Sequence, residues 1–563
     1  MISVRTLGVV EWLRVAAALL IALAVGQAGS GRAADPGGPG GPSALGQRLD
    51  QLALDQPGEQ ALVDFYQRRG DRPLWFEGRR LTTTARALAH EFQRAASHGL
   101  RPHDYIEPIR AAAGSDIATL ELTLTRTLLR YASHLARGRV EPRLVDAELD
   151  VAAPPFAPGA LLEQIAAGAG VGDAIARVVP GHPGYEPLRR AMMRLEAVSG
   201  GLDWPTLEPG PTLEFGQRAP AVGALKLMLT ITGDLPERFV PAEPDLFDDQ
   251  LRAAVIRFQS RHGLAPDGRV GPRTRQALAV APAARLEQIA LNLERLRWVS
   301  GDLGERHVVV NLADFSLRMV ERGQPIFQTR VVVGTPYHRT PVFTGRMTYL
   351  ELNPYWNVPP SIARNEILPA VLDDPTYLIA NEIEILEGWG AGATTLEPSM
   401  IDWRAVEGEA LSFKFRQKPG PKNALGRIKF MFPNAFNVYL HDTPARALFD
   451  RSVRSFSHGC IRVEEPETLA ALLLRDQPGW TRGAIERAIG RGDRQVIGLA
   501  TPVPVHLTYL TSWVDEGGRL HFRDDIYGRD ARLKLALDAT SPLIAIEAPS
   551  LASPVGLEQF PMR

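Results

Sequence analysis

The chain has 563 residues, 45% hydrophobic and 23% charged, with 63 basic against 64 acidic side chains and a formal net charge of -1. So even a balance excludes the electrostatic footprint of a nucleic-acid binder or of a protein held to an anionic membrane surface, and the length calls for three or four domains with their own cores. A single cysteine, Cys460, excludes any internal disulfide.

At the N-terminus, Arg5 and Arg14 precede an apolar run at 15–25 and small residues through Ala34. This is the order of a secretory signal. The run falls short of the about 20 apolar residues that a membrane span needs. Residues 1–34 are therefore read as a signal peptide and the chain as exported, with an uncleaved membrane anchor as the alternative; in the Gram-negative setting that the resemblance below implies, the destination is the periplasm. Residues 35–46, rich in Gly and Pro, are expected to be a flexible linker.

A helical scaffold domain is expected over 47–205. Thr82-Thr83-Thr84 is an N-cap cluster for a helix at 85–97, and leucines at helical spacing predict another over 117–137. His90, His98, His103 and His134 read as surface or capping residues, because no ligand-spaced partners accompany them.

After a Gly/Pro-rich break at 200–211, a compact unit is expected at 211–282. Val222, Leu225, Leu229 and Ile231 mark one helix, residues 251–262 a second, and a Gly/Pro turn precedes a third. Phe258-Gln259 and Asp267-Gly268-Arg269-Val270-Gly271-Pro272-Arg273-Thr274 resemble the signatures of the three-helix peptidoglycan-binding module. Leu286, Ile289, Leu293 and Leu296 then predict an amphipathic connecting helix ending near Trp298.

Short β-branched or aromatic runs at 307–311, 315–320 and 325–333 predict an antiparallel sheet. The β pattern is interrupted over about 354–422 by an insertion suited to lying over a cleft, and strand signals resume at Arg427. A C-terminal β segment is expected at 501–530, and a weakly structured tail at 531–563.

The chemistry centres on Ser455-Phe456-Ser457-His458-Gly459-Cys460-Ile461-Arg462. A lone thiol in an oxidising compartment is either buried and inert or retained for chemistry. Nineteen residues upstream lies His441, at the end of Phe436-Asn437-Val438-Tyr439-Leu440-His441. Alternation along a strand sets Asn437, Tyr439 and His441 on the face opposite Phe436, Val438 and Leu440. A thiol with an ordinary pKa near ~8.5 is mostly protonated at neutral pH and needs such a base or a cation to become a nucleophile. Gly459 permits a tight turn at His458-Gly459 that can aim backbone N–H groups at one point, as an oxyanion hole requires. Arg462 is placed to brace the turn or hold a carboxylate. Glu465-Pro466-Glu467 is a helix start.

These residues resemble the L,D-transpeptidase family, whose signature is a Ser-x-x-His-Gly-Cys-type motif ending in x-Arg with an upstream histidine. The stretch from Asn423 to Pro433, the Trp356 segment, the binding module and the helical region extend the resemblance over roughly residues 50–530, to the large multidomain Gram-negative branch. The resemblance implies a multidomain α+β protein: a helical scaffold, a three-helix peptidoglycan-binding module and a mainly-β catalytic domain at 305–500 with a capping insertion.

It further implies that Cys460 attacks the carbonyl of the third residue of a peptidoglycan stem tetrapeptide, releasing D-alanine, and that the thioester is passed to a neighbouring stem amine to give a 3-3 crosslink. His441 would move the proton, His458 and Gly459 would form the oxyanion turn, and Arg462 would brace the site. Tyr439, Trp356 and Asn423 would line the substrate. No metal or cofactor is implied. The partners implied are stem peptides and glycan, envelope glycan polymerases or carboxypeptidases, and carbapenems as covalent inhibitors. Three alternatives stand beside this reading: transfer to water or to a lipoprotein lysine, a zinc site built on Cys460, His441 and His458, and an inactive wall-binding scaffold.

Overall fold

The computed structural model describes residues 43–52, 57–200, 203–236, 243–388, 392–406 and 412–539. The expected signal peptide, most of the linker and most of the tail lie outside these residues.

Helices α1 (Pro57–Arg68), α2 (Thr83–Arg94) and α3 (Ile117–Arg137) build the N-terminal region, followed by α4 (Tyr185–Ser199). The cap residues do what their types suggest. Thr82 accepts from the Ala85 N–H at 3.2 Å and Asp116 from the Thr119 N–H at 2.8 Å, satisfying donors that a helix start leaves unpaired. Leu124, Leu128, Tyr131 and Leu135 of α3 are buried in one core with Phe65, Trp75 and Phe92.

Two expectations are corrected here. His98 and His134 are interior residues, bonded to the Tyr185 hydroxyl at 3.1 Å and the Tyr105 hydroxyl at 2.8 Å; a phenol partner makes burial tolerable. A short helix, Ala44–Leu49, begins inside the expected linker, because Leu45 and Leu49 bury against the scaffold core and the Ser43 hydroxyl accepts from the Gly46 N–H at 2.8 Å.

Helices α5 (Ala221–Ile231), α6 (Asp249–Arg261) and α7 (Pro272–Leu278) form the small module. Gln259 explains its two signatures. Its side chain, 1% exposed, donates to Asp267 Oδ1 and the Arg269 carbonyl at 2.8 Å and to Thr274 Oγ1 at 3.2 Å, while accepting from the Gly268 N–H at 2.9 Å. One amide thus ties the helix to the turn.

Helix α8 (Pro282–Arg297) is more than a connector. Its apolar stripe, Ile289, Leu293 and Leu296, packs on α4, but Asn292, Glu294, Arg295 and Arg297 are buried too. Arg297 bonds Glu294 at 2.7 Å and the Tyr185 hydroxyl at 3.1 Å, and Asn292 exchanges bonds with Thr511 at 2.8 and 2.9 Å. The N-terminal helices and the C-terminal β region therefore both grip this helix, and each of its four buried polar side chains makes at least one polar contact.

The C-terminal β region contains β2 (Arg306–Asn311), β3 (Ser316–Glu321), β4 (Gln324–Gly334) and β5 (Val342–Leu352), then β10 (Ile428–Met431), β11 (Leu440–His441), β12 (Ser455–Ser457), β13 (Ile461–Val463) and β14 (Gln495–Thr508). Neighbours run β10-β11-β13-β4-β3-β2-β14-β5, and β5 pairs again with β10, so the sheet closes on itself. Closure leaves no long free edge. Helices α9 (Pro466–Leu474) and α10 (Arg482–Gly490) cover the core through Leu469, Leu473 and Ile485. A scaffold strand, β1 (Leu149–Asp150), adds to β5 in parallel, which sequence periodicity did not indicate.

The insertion folds as a unit of its own. Its strands β6 (Trp356–Asn357), β7 (Ile383–Glu387), β8 (Thr394–Leu396) and β9 (Phe413–Gln417) form a four-stranded sheet over a separate core that includes Ile362, Val371, Leu378, Ile385 and Phe415. After β14, the hairpin β15 (Ser512–Val514) and β16 (Leu520–Phe522) lies apart from the large sheet. Helix α11 (Arg529–Ala539) then corrects the expected tail: Asp525 caps it by accepting from the N–H groups of Arg529 and Asp530 at 2.8 Å, and Leu533 is buried.

Burial holds His98, His134, His262 and His441 below the ordinary imidazole pKa, His98 and His441 down to about 3. The unfolded chain protonates these groups near ~6.5 and so binds more protons than the folded one just below that pH. Stability is full above this range and falls as pH drops through it. A thermal-melt series from about pH 7 to about pH 4.5 is expected to show a steadily falling Tm, and a flat Tm would contradict the assignment of these histidines.

Candidate active site

The site is set by one parallel pairing. Strand β11 lies beside β13 with Leu440 opposite Ile461 and His441 opposite Arg462, and the Ile461 N–H donates to the Tyr439 carbonyl at 3.1 Å. Leu440 and Ile461 are fully buried in the core. The alternate residues Tyr439, His441, Cys460 and Arg462 therefore share the other face, as side-chain alternation demands. On the far side of β11, Lys429 of β10 is in register with His441 and sets its ammonium 4.1 Å over the Tyr439 ring.

His441 is 4% exposed. Its Nδ1 lies 2.5 Å from the Asp442 carbonyl. A carbonyl only accepts, so Nδ1 carries the proton and Nε2 keeps its lone pair. Burial first, and the Arg462 guanidinium second, pull its pKa down to about 3 against the opposing bond to Asp442. The imidazole is neutral at physiological pH. The Asp442 carboxylate turns the other way and accepts from the Arg427 N–H at 2.7 Å. Gly426, at φ +62°, makes room for it, since a Cβ there would strike the carboxylate.

The half-buried Cys460 Sγ faces the Asn437 carbonyl at 3.9 Å. Burial pushes the thiol pKa up; hydrogen bonds from the Tyr439 N–H and hydroxyl, and the charges of Lys429 and Arg462, oppose it. The resting site is thus a neutral thiol beside a neutral imidazole with two cations nearby. Arg462 Nε is buried without a partner among the described residues, and burial lowers the pKa of that guanidinium. Such a group is costly to leave unpaired, which marks it as a place where an acceptor is wanted.

The turn before the thiol is built by Ser457, a residue the sequence reading passed over. Its hydroxyl donates to the Cys460 carbonyl at 2.5 Å and accepts from the Gly459 N–H at 3.1 Å. Gly459 sits at φ +109°, a conformation that side-chain-bearing residues resist. This corrects its expected role: the Gly459 N–H is already spent on Ser457, whereas the backbone N–H groups of His458 and Cys460 have no partner among the described residues. The His458 side chain points into the insertion, its Nε2 2.6 Å from Glu366 in a π-helical turn, Ala363–Ile367, with its ring 4.7 Å from that of His338.

One of the expected substrate-lining residues is taken up by the fold. Asn423 is 1% exposed, and its amide donates to the Pro354 and Lys418 carbonyls at 3.0 and 2.9 Å while accepting from the Leu425 N–H at 2.8 Å. It pins the base of the insertion and has no donor left for a ligand. Trp356 pairs in register with Gln417 and packs on the insertion's own core. Several basic residues precede the motif in sequence. Arg416 and Lys418 pair with Glu384, Lys422 bonds the Ala380 carbonyl at 2.7 Å, and Lys429 comes to the thiol's face.

Three stretches of the chain match known domain families. Residues 305–505 match the model described as "L,D-transpeptidase catalytic domain", residues 218–278 a "Putative peptidoglycan binding domain", and residues 60–192 a "Scaffold domain". Residues 305–505 form an L,D-transpeptidase catalytic domain. A curated relative, named "Putative L,D-transpeptidase", from Haemophilus influenzae is 34% identical over 250 residues, covering 44% of this chain and 49% of its own length. The chain therefore spans about half of that relative. Solved L,D-transpeptidases from Xylanimonas cellulosilytica and Stackebrandtia nassauensis align at 17% and 14% identity over 54% of this chain and 100% and 96% of theirs, with TM-scores of 0.16 and 0.19. Scores so low carry no weight for the site.

The elevated thiol predicts that alkylation of Cys460 by iodoacetamide, which needs the thiolate, is still accelerating as pH rises through the ordinary thiol pKa near ~8.5 and shows no plateau near neutrality. A plateau near neutrality, measured by intact mass against time, would mean a preformed thiolate–imidazolium pair instead.

Proposed function

We propose that this protein is a peptidoglycan L,D-transpeptidase that forms 3-3 crosslinks through a thioester on Cys460. The observation that carries the reading is the shared face: thiol, neutral imidazole, phenol and two cations on adjoining strands, with a catalytic-domain match around them. His441 Nε2 takes the thiol proton as sulfur attacks the carbonyl of the third stem residue. The oxyanion that forms is met by the His458 and Cys460 N–H groups. Collapse of the tetrahedral adduct expels D-alanine, which receives the proton from His441, and leaves the thioester. A neighbouring stem amine then attacks, losing its proton to His441, and the thiol is regenerated. Arg462 and Lys429 offer the acceptor-seeking charges that a stem carboxylate would meet. The 211–282 module would hold the polymer while this occurs, and residues 1–34 would carry the chain to the periplasm.

Incubation with tetrapeptide muropeptides, followed by mass spectrometry, is expected to give 3-3 dimers and free D-alanine, and Cys460→Ala none. Tripeptide monomers alone would move the reading to a carboxypeptidase, and dimers from Cys460→Ala would overturn it.

A carbapenem is expected to acylate the same sulfur. Intact-mass analysis should show one drug adduct on the wild type and no adduct on Cys460→Ala; an active enzyme left unmodified would refute this.

A further inference from the structure

Behind the nucleophile turn lies a buried polar chain that runs out of the catalytic domain into two other parts of the molecule. Thr340, fully buried, donates its hydroxyl to the Gly459 carbonyl at 2.9 Å and accepts from the Gly334 N–H at 3.0 Å. The Gly334 carbonyl accepts from the Tyr527 hydroxyl at 2.7 Å. A Cβ on Gly334 would collide with the His338 carbonyl at 1.9 Å, so this loop is seated against the turn with no slack. The Thr340 carbonyl accepts from both Nη groups of Arg529 at 3.2 Å. Arg529 is 1% exposed, stacked on the Tyr509 and Tyr527 rings, and held by Glu148 at 2.9 Å and Asp146 at 3.4 Å. Those two acids belong to the scaffold, immediately before the strand that joins the large sheet. Arg339 bonds Glu148 at 2.8 Å, and the Val342 N–H donates to the Glu148 carbonyl at 2.9 Å.

We propose that Thr340 is a positioning residue for the nucleophile, fixed from behind by Arg529 of α11 and by the scaffold acids Asp146 and Glu148. Its hydroxyl sets the plane of the Gly459–Cys460 peptide, and that plane decides where the Cys460 N–H and Sγ point. Tyr527, Arg529, Asp146 and Glu148 all lie outside the 305–505 match, so the active geometry depends on the whole chain. An arginine buried with two carboxylates is expensive to strand without them. The arrangement therefore ties the orientation of the turn to the docking of scaffold and C-terminal helix. The inference rests on the thioester reading of Cys460, and its test separates the two.

The test compares full-length wild type, Thr340→Val, Thr340→Ser, Glu148→Gln and Cys460→Ala. Thr340→Val keeps the shape and removes the hydroxyl; Thr340→Ser restores it. Each is assayed for muropeptide kcat and KM and for Tm, and all but Cys460→Ala for thiol alkylation against pH. The expected result is a fall in kcat of about tenfold or more for Thr340→Val with KM little changed, since small misplacement of a reacting group is costly. The alkylation pH profile should shift, and Thr340→Ser should recover most of the rate. Glu148→Gln should lower kcat in the same sense but less, and it serves as the decisive variant if Thr340→Val does not fold. Wild-type kcat and alkylation profile in folded Thr340→Val, or in Glu148→Gln should Thr340→Val not fold, with Cys460→Ala inactive, would overturn the positioning role and leave the thioester reading intact. Activity in Cys460→Ala would sink the thioester reading itself; the shifted alkylation profile of Thr340→Val and its recovery in Thr340→Ser would still report whether Thr340 orients the thiol.

Discussion

The chemistry of this protein depends on the register of two very short strands. With His441 opposite Arg462 and Leu440 opposite Ile461, the thiol and its candidate base fall on the same face, away from the core. A slip of one residue would turn Cys460 inward and bury the sulfur among valines and leucines. Register is fixed because Leu440 and Ile461 are both completely buried and because β10 and β4 flank the pair. The closed sheet is thus not merely a support: its core packing is what places the reactive side chains.

Charge is handled in the site by burial more than by pairing. His441 has a carbonyl partner instead of a carboxylate, which fixes its tautomer without raising its basicity as far as an ion would. The nearby cations oppose imidazole protonation and favour thiolate formation at once, so one pair of residues, Lys429 and Arg462, biases both members of the couple in the same direction. The resting neutral pair then separates charge only when a substrate is attacked, inside surroundings already arranged for it.

The domains meet through buried polar groups. Helix α8 presents Asn292, Glu294, Arg295 and Arg297 to neighbours on several sides, and Arg529 gathers the scaffold, the 334–340 loop and the C-terminal helix around one guanidinium. Interfaces of this kind gain little net stability from each pair, but they are intolerant of misalignment, because any displacement leaves a charge unpaired. They hold the domains in a single relative arrangement.

Much of this was legible in the sequence. Local signals gave the cap at Thr82, the helix after Pro466, the module built around Gln259, and the facing of Tyr439 with His441, because each depends on residues within a few positions of one another. The motif around Cys460 was equally local. What the sequence by itself could not decide was every role set by a distant partner. Asn423 belongs to the insertion's base because three carbonyls converge on it, His98 and His134 are interior because tyrosines far along the chain bond them, and Gly459 keeps its N–H for Ser457. Thr340, Arg529 and Glu148 carry no motif at all; they come together only when the sheet closes and the scaffold strand joins it, since hydrogen-bond partners hundreds of residues apart leave no periodic trace in either segment.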